Sequence, residues 1–393
     1  METRTQYIMY VPTRTVFGAG SLNRLHEQAL PGKKALIVIS QGKSVKANGY
    51  LGRTEDQLHK AGIETVLFDR VEQNPLKDTV MAGGRAAREN HCDFIVALGG
   101  GSCIDAGKAI AIMAANPGDY WDYIVSGTGG GKSFVNTPLP VVAITTTAGT
   151  GSETDASCVI TNPGTQEKIG QGHPTLFPRL AIVDPELMLT VPPDYTAYQG
   201  FDALFHSTEA YISAYANLMS DMYALSAIES VGRNLAAAVA DGSNLAARER
   251  VAWGNTLSGT VMCVGSCTSS HAMEHAMSAY HQDLPHGAGL ILISRAYYSF
   301  FIRKHVCDDR FIRMAQALGH TDAKRPEDFI AALVELQKQC GVGELKMSDY
   351  GITPSEFPDF ARNAKKTMGR LFPSDRVMLS EDDVIAIYSE AYR

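Results

Sequence analysis

The sequence contains no stretch of about 18 apolar residues, so no helix of ordinary membrane-spanning length is expected. Its first residues, up to Gly18, read as strand-like and carry no apolar core of the secretory type. It has no basic stripe and no run of like charges, and its formal net charge is −7. That balance argues against a nucleic-acid surface. No Cys-x-x-Cys pair occurs, and the seven cysteines are odd in number. A disulfide framework is therefore not expected, and free thiols in a reducing, cytoplasmic location are. Cys263 and Cys267, one helical turn apart, read as packing residues. The G-x-G-x-x-G dinucleotide fingerprint is also missing; Gly18-Ala19-Gly20 reads as a turn.

What is present is ample core material. The chain has 393 residues, 45% of them hydrophobic. Single cores stop growing at roughly 250–300 residues, so two domains are expected. Short apolar runs alternate with helical segments in the first half. Ala35–Ile39, Thr65–Phe68, Phe94–Leu98 and Pro140–Ile144 read as buried strands. Helices are expected from about Arg53 to Ala61 and from Lys77 to Asn90. This alternation implies a parallel sheet flanked by helices. After Val183-Asp184-Pro185 strand signals fade, and Ala-rich stretches such as Leu235 to Arg250 read as helix. The expected architecture is an α/β N-terminal domain with a Rossmann-like parallel sheet, residues 1–185, followed by an all-α domain, residues 186–393. Gly127 to Lys132 reads as a mobile glycine loop; no strand enters it, which argues against a phosphate loop.

Two loops at strand ends carry a nucleotide signal. Gly99-Gly100-Gly101-Ser102 follows a strand, and Ile104-Asp105-Ala106-Gly107-Lys108 opens a helix. Glycines let the backbone approach a pyrophosphate, and the helix N-terminus offers N–H groups and partial positive charge. Thr145 to Glu153 is a second strand-end loop, dense in hydroxyls. As two strand ends of one sheet, they suit a shared nucleotide crevice.

A metal signal follows. Asp202 and His206 are four residues apart, which places both on one face of a helix. His271 and His275 repeat that spacing, and His281 and His286 come after. One Asp and three His make a four-coordinate set that suits Fe²⁺ or Zn²⁺. A nucleotide cofactor beside a Lewis acid is the equipment for carbonyl reduction, with a spare histidine available to relay a proton.

At these residues the sequence resembles the iron-dependent, or group III, alcohol dehydrogenases over nearly its whole length. The resemblance rests on Phe17-Gly18-Ala19-Gly20, Gly99–Lys108, Thr146–Glu153, Gly200–His206 and His271–Gly287. It implies a dinucleotide-binding first domain and a helical metal-binding second one. It implies Asp202, His206, His271 and His286 as metal ligands and His275 as the histidine of catalysis or proton relay. Gly99, Gly100, Gly101, Ser102 and the Asp105 of the helix it opens map to the pyrophosphate site. Thr146, Thr147 and Tyr195 map around adenine and ribose, and Lys168 matches a lysine that reaches the cofactor. Ser157 and Met262 fall at substrate-pocket positions.

Two departures bear on specificity. Ser40 stands where many NAD-preferring members carry an Asp that holds the adenosine ribose, so NADP joins NAD as a candidate. Lys43 or Lys46 would meet its 2′-phosphate. The stretch from His271 to His286 is one residue longer than in some relatives and includes His281, a competitor for the last ligand position. Iron and zinc both remain open. The implied activity interconverts a small primary alcohol and its aldehyde, acting as an aldehyde reductase; functionalised aldehydes, sulfonated or diol-derived, are included. A dehydroquinate-synthase-like lyase is the rival enzyme, weakened by the few Lys and Arg around the histidines. A metal or nucleotide sensor would leave His275 without a role. The family often dimerises through its N-terminal strands, which points to Tyr7–Phe17 as the contact of a homodimer or higher homo-oligomer, with no membrane or nucleic-acid partner.

Overall fold

The computed structural model describes residues 3–393. The chain forms two compact units: an α/β unit of residues 11–147 and 151–190, and a helical unit of residues 191–393 with the segments up to Tyr10 and 148–150.

The strands of the α/β unit are β1 (Arg14–Phe17), β2 (Lys34–Ser40), β3 (Glu64–Val71), β4 (Phe94–Gly99), β5 (Val141–Thr145), β6 (Ser157–Asn162), β7 (Glu167–Gly172) and β8 (Leu180–Val183). Six of them make one sheet in the order β1-β8-β5-β4-β2-β3, and every neighbouring pair is parallel. The central strands are apolar on both faces because helices cover both. Ile37, Val96, Ile144 and Ile182 share one core with Leu22, Leu25 and Leu58. Leu58 belongs to α2 (Tyr50–Lys60), which follows the short α1 (Ser44–Ala47); α3 (Lys77–Glu89) and α4 (Gly101–Ala115) complete the unit's helices. On the opposite face α4 comes down onto β4. A Cβ at Gly107 would stand 2.8 Å from that of Ala97, so only glycine allows this approach.

Counted from β2, the strand order runs 2-1-3-4-5, with β1 added at the far edge. The order reverses between β2 and β4. Ligands of such sheets bind outside the carboxyl ends of the strands at this reversal. Ser40 ends β2 and Gly99 ends β4, so topology puts the first nucleotide signal at the favoured place.

The helical unit contains α5 (Pro193–Ile212), α6 (Leu218–Ala240), α7 (Leu245–Val264), α8 (Ser269–Tyr280), α9 (His286–Arg303), α10 (Asp308–Ala317), α11 (Glu327–Gln339), α12 (Phe357–Met368) and α13 (Glu381–Ala391). Among the described residues no strand follows Val183. Pro192 and Pro193 open α5, where a missing N–H costs nothing. The N-terminal segment joins this unit through Arg4, whose N–H donates to Ala216 O at 3.1 Å and whose carbonyl accepts from Leu218 N at 3.2 Å.

Four local expectations need correction. The strand-like beginning yields β1 alone as a strand of the sheet. The expected helix from Leu235 to Arg250 breaks between Ala240 and Leu245, where Asp241 accepts from Ser243 and Asn244 caps the next helix through Ala247 N. The antiparallel pair β6–β7 was not expected at all. Finally, the glycine stretch at 127–132 is pinned rather than loose. Gly130, Gly131 and Lys132 donate to the carbonyls of Trp121, Ile124 and Asp122 at 2.8–3.0 Å. The buried Glu167 carboxylate accepts from Thr128 Oγ1 and Trp121 Nε1. Glycine is required there by close packing: a Cβ at Gly129 would lie 2.2 Å from Ile124 O.

Candidate active site

The two strand-end loops of the α/β unit meet. Thr146 N donates to Gly99 O at 3.0 Å, and a Cβ on Gly100 would reach Thr147 Oγ1 at 2.9 Å. Gly99 has φ +156°, and a side chain there would collide with Cys103 Sγ at 2.5 Å. Gly100 is the N-cap of α4 and no side chain caps that helix. Gly101 and Ser102, in its first turn, thus present N–H groups that the helix itself leaves unbonded. This backbone cradle, which any Cβ would fill, fits a pyrophosphate.

Behind the cradle lies a buried charge cluster. Lys108 is fully buried, and its ammonium donates to Ser152 Oγ, Asp155 O, Asp155 Oδ1 and Ser157 O at 2.7–3.0 Å. Asp105 accepts from Ser152 Oγ at 2.6 Å and from Val159 N at 2.9 Å. Burial pushes its carboxyl up to about 6 against the pull of Lys108. Asp105 therefore binds α4 to β6 and to the loop before it. Ser157 holds Lys108 through its carbonyl. Lys168 is buried on β7 opposite Thr161. Ser40 is half-buried at the end of β2, where β2 and β3 shift register. Lys46 is paired with Asp69 at 2.5 Å. Tyr195, in the first turn of α5, is 39% exposed and stands edge-on to Tyr198.

In the helical unit four residues from three helices converge. Asp202 Oδ1 lies 3.4 Å from His206 Nδ1, 3.6 Å from His271 Nε2 and 3.5 Å from His286 Nε2. Asp202 and His206 share one face of α5, His271 stands on α8, and His286 opens α9. Asp202 Oδ1, His206 Nδ1 and His271 Nε2 are buried and have no hydrogen-bond partner. Buried polar atoms without partners cost free energy. Converging lone pairs at these separations are what a divalent cation relieves, so the residues fit a metal ion. Burial alone would raise the Asp202 carboxyl, but His206, His286 and His271 outweigh it and hold the carboxyl well below its usual range. Burial holds the His206 imidazole low, the neutral state a metal ligand needs.

Further carboxylates orient the rings. Glu209 Oε1 accepts from His271 Nδ1 at 2.8 Å and Oε2 accepts from Thr268 N and Oγ1. Glu274 Oε2 is hydrogen-bonded to His286 Nδ1. Both glutamates are fully buried. With Nδ1–H given to a carboxylate, Nε2 of His271 and of His286 carries the lone pair. Sequence reasoning missed both. A signal existed, for each stands three residues after a histidine: His206 precedes Glu209, and His271 precedes Glu274. Each serves a histidine on another helix.

His275 follows His271 by one turn, is buried, and its ring centre is 5.3 Å from that of His286. His281 is elsewhere: it ends α8 and is bonded to Glu356 at 2.8 Å. Gly287 is explained by packing, since a Cβ would lie 2.0 Å from Tyr198 O. Cys263 and Cys267 do not share a helix: Cys263 lies in α7, whereas Cys267 lies in the link after it, with its Sγ 3.5 Å from Met262 Sδ.

A parallel sheet with a backbone phosphate cradle and a carboxylate–histidine metal centre define a metal-dependent, dinucleotide-linked oxidoreductase. The family model "Iron-containing alcohol dehydrogenase" matches residues 12–185, and the model for the C-terminal part of that family matches residues 196–392. The chain is 37% identical to a 1,3-propanediol dehydrogenase of Klebsiella pneumoniae, covering 97% of this chain and 98% of that one. Among solved structures it is similar to an archaeal halo-thermophilic Red Sea brine pool alcohol dehydrogenase, with TM-score 0.93 and 32% identity over 99% of this chain and 100% of that one. It is also similar to the sulfoacetaldehyde reductase from Bifidobacterium kashiwanohense, solved with NAD⁺, with TM-score 0.85 and 28% identity over 99% of each chain.

The chain belongs to the iron-containing, group III alcohol dehydrogenase family. It is an oxidoreductase of alcohols and aldehydes, and the lyase reading is not favoured by these relatives. No described helix is long and apolar enough to cross a membrane.

Proposed function

We propose that the protein is an NADH-linked, iron-dependent reductase of short aldehydes, with hydroxylated aldehydes as the first substrate class to examine. The observation that carries the reading is the convergence of His206, His271 and His286 on Asp202 Oδ1. The 1,3-propanediol dehydrogenase relative supports the substrate class. In this reading Asp202, His206, His271 and His286 hold Fe²⁺. When bound, the ion supplies a Lewis acid that polarises the aldehyde oxygen. Glu209 and Glu274 keep Nδ1 of His271 and His286 protonated, which leaves the Nε2 lone pair of each available to hold an ion. His275, protonated from solvent, would give its proton to the substrate oxygen, while a bound NADH would supply the hydride to the carbonyl carbon. Met262 lines the substrate pocket beside Cys267, and Ser157 is the first residue of β6.

Cofactor contacts follow the same reading. Gly99, Gly100, Gly101 and Ser102 cradle the pyrophosphate at the N-terminus of α4. Asp105 holds that helix in place, Ser40, Thr146, Thr147 and Tyr195 attend the adenosine, and Lys168 reaches the cofactor. NADH is favoured over NADPH in line with the sulfoacetaldehyde reductase relative, which was solved with NAD⁺. A domain division at 185/186 is proposed from the change of sequence pattern after Val183; the compact units themselves part between Thr190 and Val191. A cytoplasmic homodimer is proposed through Tyr7–Phe17, where Ile8 is 90% exposed; light scattering tests it.

The decisive assay is a panel of short, hydroxylated and sulfonated aldehydes with NADH and NADPH on chelator-treated protein reloaded with Fe²⁺ or Zn²⁺. The expected result is NADH oxidation restored best by Fe²⁺ with short aldehydes. Absence of turnover across the panel overturns the reading.

A further inference from the structure

Cys267 lies in the link between α7 and α8, which end and begin at Val264 and Ser269. Its side chain is 5% exposed. The thiol is not merely close to Met262. Its Sγ and one ring nitrogen each of His206 and His271 all lie within 4.8 Å of one another. Asp202, His271 and His286 form another such triad. The two sets share His271, whose Nε2 is buried without a hydrogen-bond partner.

The triads differ in chemistry. Asp202, His271 and His286 offer oxygen and nitrogen, a set that serves Fe²⁺ and Zn²⁺ alike. His206, Cys267 and His271 offer two nitrogens and a sulfur, and thiolate selects the more thiophilic ion. Around a tetrahedral Zn²⁺, with Zn–S about 2.3 Å and Zn–N about 2.0–2.1 Å, sulfur and nitrogen stand roughly 3.6 Å apart. A thiol within 4.8 Å of a nitrogen of each ring stands close to that separation already, and an inward shift of about 1 Å or less would complete the set. Cys267 stands outside both helices, but Thr268 beside it is tied to Glu209 and the Ser266 hydroxyl donates to the Cys267 carbonyl, so the approach falls to the thiol side chain and not to the link.

We propose that Cys267 gives the metal centre a second, sulfur-containing donor set, made with His206 and His271, that takes Zn²⁺ in preference to Fe²⁺. Binding in this mode forms a Zn–S bond and releases the thiol proton to solvent, with no change of oxidation state. Because both modes draw on His271, an ion held by Cys267 excludes iron from its own arrangement. The proposal rests on the metal-centre reading above and adds to it the source of discrimination between the two ions.

The test uses the full chain loaded anaerobically with Co²⁺, and separately Zn²⁺ and Fe²⁺ affinities from competition with a chromophoric chelator. The expected spectrum has visible d–d bands together with a near-ultraviolet sulfur-to-cobalt charge-transfer band. Cys267→Ser and Cys267→Ala should keep the d–d bands and lose the charge-transfer band. Their Zn²⁺ affinity should fall by about tenfold or more, the scale on which supporting groups of a metal site act, while Fe²⁺ affinity stays within about twofold. Visible bands without a charge-transfer band, or unchanged Zn²⁺ affinity in both variants, overturn the role of Cys267 and leave the iron centre standing. Absence of visible bands in the unmodified chain overturns both readings together.

Discussion

In the α/β unit the buried ammonium of Lys108 meets four oxygen acceptors at 2.7–3.0 Å, whereas in the helical unit the buried Asp202 Oδ1 faces three imidazole nitrogens at 3.4–3.6 Å with no hydrogen bond between them. The first arrangement is satisfied within the fold and serves stability. The second is incomplete within the fold, and in the reading proposed above an ion would complete it. The units also present their chemistry differently. The nucleotide cradle is backbone, made by Gly99, Gly100 and the open end of α4, so it needs the absence of side chains. The metal centre is all side chain, held in place by further side chains.

Substitutions can break this contrast. The largest expected loss of stability belongs to the satisfied cluster. Lys108→Met leaves Asp105 and Asp155 buried without their cation, and removal of one partner of a buried pair costs about 3–5 kcal/mol. Urea denaturation should show that loss, and a stability change within about 0.5 kcal/mol, the ordinary scale of a surface substitution, would mean that the cluster is not structural.

Next come the orienting carboxylates. Glu209→Gln and Glu274→Gln each keep the shape and remove the charge behind a ligand ring. Iron affinity should fall about 10–100-fold in each, with the denaturation midpoint moving less in Glu274→Gln than in Glu209→Gln, because both Glu209 oxygens accept from buried donors and an amide turns an N–H₂ toward one of them. Unchanged affinity in both would deny them the orienting role.

The smallest effect concerns pH. Asp375 accepts from Ser269 N and Tyr297 Oη at the start of α8, and burial pushes its carboxyl up to about 7. A carboxyl raised in the fold opposes folding once it must ionise. The cost is absent below the unfolded value near 3.8, grows as pH rises from there, and is complete above about 7. Asp375→Asn should therefore raise Tm at pH 8 and make no difference near pH 4. A stabilisation confined to acid pH would reverse the argument.

The contrast also decides what was legible in the sequence. Apolar runs gave β2, β3, β4 and β5 because strands buried on both faces are written as unbroken Ile, Val, Leu and Ala. The β6–β7 pair was not legible, since Glu167 and Lys168 look like surface residues until their burial is seen, although Asn162-Pro163-Gly164 marks a turn between them. The spacing of Asp202 with His206 and of His271 with His275 is intrinsic to a helix, so these residues could be named. Glu209 and Glu274 were passed over because each orients a ring on a different helix, and that pairing exists only after α5, α8 and α9 have packed. Cys267 was read together with Cys263 as a helical pair for the same reason: the end of α7 at Val264 is set by Gly265, not by the spacing of the thiols.

The central claim is that Asp202, His206, His271 and His286 together hold one metal ion. Metal content per chain, measured by mass spectrometry after anaerobic loading with Fe²⁺ and gel filtration, tests it most directly when unmodified protein is compared with His271→Ala and His286→Ala. The account predicts about one iron per chain in the first and essentially none in either variant, with far-ultraviolet circular dichroism unchanged. Full iron content in either variant would contradict it.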